Sequence, residues 1–144
     1  MTHALIYISQ ATIEINEEVT KDIAQKSALN NKKTGITGFL IYRANTFVQY
    51  IEGEKEAIYN LMSVIEDDPR HKILKTVPLK FAFPKFFGWN MRYVPIRDVK
   101  RLTMNDTLMS TIQQFVSEDY SEELMATQLN TIINSISRNS DATI

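Results

Sequence analysis

Residues 36–43, ITGFLIYR, and 46–52, TFVQYIE, are two strand-like runs separated by a short polar turn around Ala44–Asn45. Such a pair closes as an antiparallel hairpin. The rest of the chain must therefore build on an antiparallel sheet. In the second run, period two puts Phe47, Gln49 and Ile51 on one face and Val48, Tyr50 and Glu52 on the other. The Phe47/Ile51 face is core-like, which leaves the carboxamide of Gln49 in the middle of an apolar surface. An unpaired buried amide group costs ~1–3 kcal/mol, so Gln49 requires a partner.

The flanking segments limit what the hairpin can join. Residues 4–9, ALIYIS, read as a first strand, with Leu5, Tyr7 and Ser9 on one face. Asn16 followed by Glu17 and Glu18 is a helix N-cap with acidic residues in the first turn. That helix is expected to run to about Asn31, with Val19, Ile23, Ala24, Ser27, Asn30 and Asn31 turned inward. A second helix is expected at about 54–66, with Ile58, Leu61, Met62 and Ile65 inward and Pro69 ending it. Strands fit 73–83 and 88–94, and Pro78 marks the former as an edge strand or a bulge.

The order is β-α-β-β-α-β-β. This is an α+β, ferredoxin-like pattern, with two helices on one face of an antiparallel sheet. Beyond Pro95, residues 103–117 and 121–137 read as two C-terminal helices. Their stripes are Leu108, Ile112 and Phe115, then Leu124, Leu129, Ile132 and Ile136, and Asp119 and Glu122 suit the second helix start. The expected organisation is a domain over 1–95 followed by a helical extension over 96–144.

Composition removes several chemistries. No cysteine is present, so disulfides, thiolate metal sites, cysteine nucleophiles and cysteinyl–cofactor adducts are excluded. His3 and His71 are too few and too far apart for a His-based metal site, and no metal is expected. A net charge of −1 gives no footprint for nucleic acid or an anionic membrane. The apolar runs are too short for a membrane span, and the start MTHALIYIS has no signal-peptide pattern. The expectation is a cytoplasmic protein.

Several polar residues fall on faces that should be apolar. Tyr7 is central in the first strand, Gln49 in the third, and Ser27, Asn30 and Asn31 close the first helix stripe. Each has an ordinary explanation. A buried Tyr packs and bonds a carbonyl, a strand Gln faces solvent, and an Asn at a helix end caps it. In a ferredoxin-like topology, however, strands one and three are the central pair. Tyr7 and Gln49 can then face each other beneath the first helix. Their convergence describes donors and acceptors set around an apolar hole, suited to a flat heteroaromatic ligand.

In order, the chain carries LIYIS with Tyr7, Asn30-Asn31 before TGITGFLIY, then FVQYIEG, DDPRH and FFGWNM. Over residues 3 to about 95 it resembles the BLUF family, blue-light sensors that use flavin. The resemblance implies a photoreceptor holding non-covalent flavin, usually FAD, between the two helices. It makes Tyr7, Asn31 and Gln49 the photoactive set, with Tyr7 as electron and proton donor. It also implies flavin contacts from Asn30, Asp68, Arg70 and His71, and a signalling role for Trp89 and Met91. The helix stripes add Ile23, Ser27 and Ile65 around the ring. Gly38 fits a close approach of a neighbouring element.

One position departs from the pattern. Where many relatives carry an arginine that reaches the flavin phosphate, this chain has Val64. FAD, FMN and riboflavin therefore stay open, as does the choice of Trp89 or Met91 beside Gln49. The expected output passes to a downstream protein partner or through a homo-oligomer, without enzymatic turnover, since 144 residues leave no space for an attached cyclase or phosphodiesterase. The competing readings are a light-inert ferredoxin-like module that binds a ligand or protein, and a small hydrolase. The hydrolase would want a phosphate-cradling loop, and QATIEIN in the first strand–helix connection has neither glycine nor arginine.

Overall fold

The structure, a computed structural model, describes residues 2–43, 45–93, 110, 114 and 122–141. It divides into two compact units, Met1–Val94 and Pro95–Ile144. In the first unit, β1 (Thr2–Ala11), α1 (Glu17–Thr34), β2 (Thr37–Arg43), β3 (Thr46–Gly53), α2 (Lys55–Glu66), β4 (His71–Phe81) and β5 (Arg92–Tyr93) follow in order. The sheet order is β4-β1-β3-β2-β5. The first four strands pair antiparallel and β5 runs parallel to β2. This is the ferredoxin-like arrangement, with β1 and β3 at its centre.

Local signals account for most boundaries. Asn16 accepts a 2.9 Å bond from the Val19 N–H, and Glu17 and Glu18 complement the helix dipole. α1 continues to Thr34, past the expected end at Asn31, because Lys32, Lys33 and Thr34 all tolerate a helix. Gly35 is the residue that turns left-handed, at φ 76°, and its N–H bonds the Asn31 carbonyl. Asn45 takes the positive φ of the β2–β3 turn, at 64°.

Both helices pack on one sheet face. Leu5, Tyr7, Leu40, Phe47 and Ile51 of the sheet form a buried cluster with Ala24 of α1 and Ile58 and Met62 of α2. Burying such side chains contributes roughly 1.5–3 kcal/mol each for the large aliphatics. The expected inward Val19 is instead on the exposed side, and Thr20 takes the buried position, its hydroxyl bonded to the Asn16 carbonyl. Pro78 lies on an edge strand, as β4 is outermost, and the β1–β4 irregularity falls at Ile8/Ser9 instead.

The strand expected over 88–94 is reduced to Arg92–Tyr93, and Val94 lies outside the described residues. Residues 82–91 form an irregular segment whose backbone groups bond elsewhere. Lys85 and Phe86 donate to the Glu52 carboxylate, Trp89 donates to the Phe86 carbonyl, and the Trp89 carbonyl accepts from Gly38. A ladder over 88–94 would need the two Trp89 groups.

In the second unit, α3 spans Glu122–Asp141. Its buried positions include Met125, Leu129 and Ile133, an i, i+4, i+8 stripe. The expected stripe is out of phase at its start, since Leu124 is exposed. The side chains of Ile132 and Ile136 lie outside the described residues, as do Leu108, Ile112, Phe115 and Asp119. Of the expected 103–117 helix, Ser110 and Gln114 are described, and both are helical.

Candidate functional site

Tyr7 and Gln49 are direct partners across the β1–β3 ladder. Both are buried, and the Tyr7 hydroxyl donates to Gln49 Oε1 in a short bond. The other end of the carboxamide, Nε2, donates to Met91 Sδ at 3.2 Å. A thioether sulfur is a weak acceptor, so Gln49 is firmly held at its oxygen and loosely at its nitrogen. Burial pushes the Tyr7 phenol well above its ordinary value, with the charge of Asp68 adding to it, so the proton stays on Tyr7 at neutral pH.

Above this pair lies a cavity of about 250 Å³ between the two helices. Its walls include Ile23 and Ser27 of α1, Ile65 of α2, and Leu40 and Phe47 of the sheet. Tyr7, Gln49, Asn30, Asn31, Asp68, Arg70 and His71 supply its polar groups. All ten residues that the sequence nominated for flavin contact therefore meet at one hollow. Asn31 is almost fully buried at the end of α1, and its Nδ2 donates to the Asn90 carbonyl at 2.7 Å. A second hollow of about 560 Å³ adjoins the first, sharing Asn30, Asn31, Leu61 and Val64.

The DDPRH segment closes one end. Asp68 accepts from the Arg70 backbone N–H and Nε, each at 3.0 Å, and from Nη2 at 2.5 Å. Those hydrogen bonds hold the Asp68 carboxyl at about 2, below its usual 3.8. The pair's contribution to stability is thus present above about 3.8 and is lost as pH falls through about 2. It is constant near neutrality, and Arg70 already has an acidic partner there. His71 bonds Ser9 Oγ through Nδ1 at 2.7 Å and the Ile65 carbonyl through Nε2 at 2.8 Å. A carbonyl only accepts, so Nε2 carries a proton. Both ring nitrogens are engaged by the protein, and His71 offers the cavity ring surface.

Trp89 does not line the cavity. Its ring packs on Phe86, with centroids 5.4 Å apart, and the Arg92 guanidinium lies 4.4 Å above it. Met91 takes the place beside Gln49, which decides the arrangement the sequence left open. Ile15, Lys26 and Leu61 also line the cavity and were not nominated. Lys26 shares a helix face with Ile23, Ser27 and Asn30 by i, i+3, i+4 spacing, but its charge argued against an inward stripe. Val64 is exposed and borders both hollows.

The donor set suits a flavin ring. Two carboxamides, from Asn31 and Gln49, stand at the wall of an apolar slot, each with N–H donors and a carbonyl acceptor. That matches the alternating carbonyl and N–H edge of a flat heterocycle. The cavity falls slightly below the ~300–1,000 Å³ usual for whole small-molecule sites, and the adjoining hollow supplies room for a side arm. Among the described residues no cluster of three metal-ligating side chains occurs. No described helix is long and apolar enough to cross a membrane.

The model of the BLUF family, sensors of blue-light using FAD, matches residues 2–92. The chain is 30% identical over 120 residues to photoactivated adenylate cyclase subunit alpha of Euglena gracilis, covering 81% of this chain and 12% of that protein. It thus spans about an eighth of that relative's length. Among solved structures, BlsA in its photo-activated state superposes with a TM-score of 0.62 at 28% identity, covering 90% of this chain and 94% of that one. BlrP1 of Klebsiella pneumoniae with FMN and cyclic diGMP gives a TM-score of 0.61 at 27% identity, covering 82% of this chain and 35% of that one. With the family match running from β1 into β5 and across both helices that wall the cavity, the chain belongs to the BLUF family of blue-light sensors.

Proposed function

We propose that this chain is a blue-light photoreceptor that holds a flavin non-covalently between α1 and α2 and signals by rearranging the hydrogen bonds of Gln49. The observation that carries the proposal is the bonded series Tyr7–Gln49–Met91, whose first two members line the slot. Asn31 and Gln49 would hold the polar edge of the ring, and Ile23 and Ile65 would cover its faces. Asn30, Ser27, Asp68, Arg70 and His71 would border the remainder. With no cysteine in the chain, no thioether to the cofactor can form.

When bound, flavin supplies blue absorption and, once excited, a one-electron oxidant. Everything else falls to the protein. Tyr7 is a neutral phenol whose proton already lies on the bond to Gln49 Oε1. Loss of an electron makes a phenol strongly acidic, so the proton moves along that bond to the carboxamide. Return of the electron and proton restores Tyr7. Gln49 is left rotated or tautomerised, because its hold at Nε2 is the weak one to Met91 Sδ. Met91 and the segment it ends then meet a changed neighbour.

The matched region is a sensor module, and this reading gives it no turnover of its own. The unit Pro95–Ile144, with the apolar stripe of α3, would carry the signal to a protein partner or a second copy in the cytoplasm. Purified protein should be yellow, and denaturation should release intact flavin. Colourless protein that takes up no added FAD, FMN or riboflavin would contradict the proposal.

Val64 sets the expected order of affinities. A charge-assisted hydrogen bond contributes ~1.5–3 kcal/mol, and the valine supplies none to a phosphate. Titration of apoprotein should therefore give FAD only a modest advantage over riboflavin. A preference above about a hundredfold, or ~2.7 kcal/mol, would mean that another cation, with Lys26 at the cavity as the first candidate, replaces the arginine.

A further inference from the structure

We infer that Glu52 is a positioning residue for signalling: its buried carboxylate fixes the start of segment 82–91, so that a change at Gln49 moves only the Asn90–Met91 end. The inference rests on the light-sensing reading for what moves, but not for what is fixed.

Glu52 is fully buried, on the sheet face opposite the cavity. Its Oε1 accepts from the Tyr50 hydroxyl and the Lys85 N–H, each at 2.8 Å. Its Oε2 accepts from the Phe86 N–H at 2.8 Å and the Thr37 hydroxyl at 2.7 Å. An ionised carboxylate offers about four acceptor sites and no donor, and here all four face donors. Bonds to an ionised acceptor are about twice as strong as neutral ones. Phe86 is further clamped by ring contacts with Phe39 and Tyr50, both at 5.2 Å.

The other end of the segment is held differently. Gln49 and Glu52 are three residues apart in β3, so their side chains project to opposite faces. The segment crosses between those faces, tied midway by the Gly38 N–H to the Trp89 carbonyl at 2.7 Å. Beyond it, the Asn90 carbonyl takes one amide bond from Asn31, and Met91 offers Gln49 a sulfur. Both of these holds come from cavity-lining carboxamides. One end is therefore a carboxylate bracket on the far face of the sheet, and the other is tied through Met91 to Gln49, the residue expected to rearrange.

The test is residue-resolved amide exchange on the flavin-loaded full chain, in darkness and under blue light. Wild-type Lys85 and Phe86 amides should be protected equally in both states, while the amides of Asn90 and Met91 exchange at least about tenfold faster in light. Glu52→Gln places an NH₂ against two donors. It should speed exchange at Lys85 and Phe86 about tenfold in darkness. It should also retain the flavin red shift and alter its dark-recovery rate, which a merely structural role would leave unchanged. Tyr50→Phe removes one side-chain donor and keeps both backbone bonds, so protection at Lys85 and Phe86 should stay within about twofold. Acceleration of Lys85 and Phe86 in light matching that of Asn90 and Met91, or full protection in Glu52→Gln, would overturn the inference. Should Glu52→Gln fail to fold, the wild-type dark–light comparison decides. Absence of any red shift in wild type would instead sink the light-sensing reading, leaving the dark exchange of Glu52→Gln as the test of the bracket.

Discussion

Gln49→Leu and Tyr7→Phe are each expected to retain flavin and to abolish the light-induced spectral shift. Both changes nearly conserve volume, so the cavity between α1 and α2 should persist. A leucine at position 49 has no carboxamide to rotate. A phenylalanine at position 7 has no hydroxyl, so the bond that starts the proton transfer is gone. The expected effect on the shift is complete loss. The cost to folding is limited to that of one broken hydrogen bond, since each replacement is apolar and its neighbours include Leu5, Leu40 and Phe47. Removing one member leaves the other unsatisfied, at ~1–3 kcal/mol. Difference absorption under blue light on each flavin-loaded variant makes the check. A Tyr7→Phe variant that shifts and recovers as wild type would mean that another residue donates the electron.

Gly38→Ala is expected to be the most damaging single methyl in the chain's first unit. A Cβ built on Gly38 lies 1.9 Å from the Tyr50 carbonyl oxygen and 3.2 Å from Ile51 Cα. These are backbone atoms of β3, held in the central ladder, so no side chain can swing aside. Relief requires prying β2 from β3 at the pair Gly38/Ile51. Overpacking usually costs ~1–3 kcal/mol, and a backbone clash belongs above that range. Against a typical total of ~5–15 kcal/mol, the variant should be barely folded or insoluble. Gly38 also donates to the Trp89 carbonyl, so any surviving protein should show altered exchange near Met91. Denaturant unfolding gives the comparison. A midpoint equal to that of wild type would show that the two strands separate more easily than the geometry implies.

How far the sequence can be read depends on whether a residue's fate is local. Alternation over 46–52 and 4–9 places Gln49 and Tyr7 on inner faces, and the ferredoxin-like order makes their strands neighbours. The observed pair across β1–β3 follows from those rules alone. Asn16 and Pro69 mark helix ends for equally local reasons. The misreadings involve partners far away in the chain. Residues 88–94 look like a strand, yet the Trp89 backbone is already bonded to Phe86 and Gly38, and Glu52, more than thirty positions earlier, captures the N–H groups of Lys85 and Phe86 just before it. Period two puts Glu52 opposite Gln49, and nothing local distinguishes a solvated glutamate from one with four buried donors. Val19 and Leu124 depart for another reason, since a helix stripe misphased by one residue turns ~100° away from the core. The choice of Met91 over Trp89 beside Gln49 is illegible in the sequence because both are apolar and both end up buried.

The most direct measurement is the absorption spectrum of the purified, flavin-loaded chain before, during and after blue light. Only hydrogen bonds around the ring change in this account. The flavin band should therefore move slightly to longer wavelength under light, keep its shape, and return in darkness. A spectrum that does not move would contradict the claim that Tyr7 and Gln49 form a light-driven switch, as would a bleached band that never recovers.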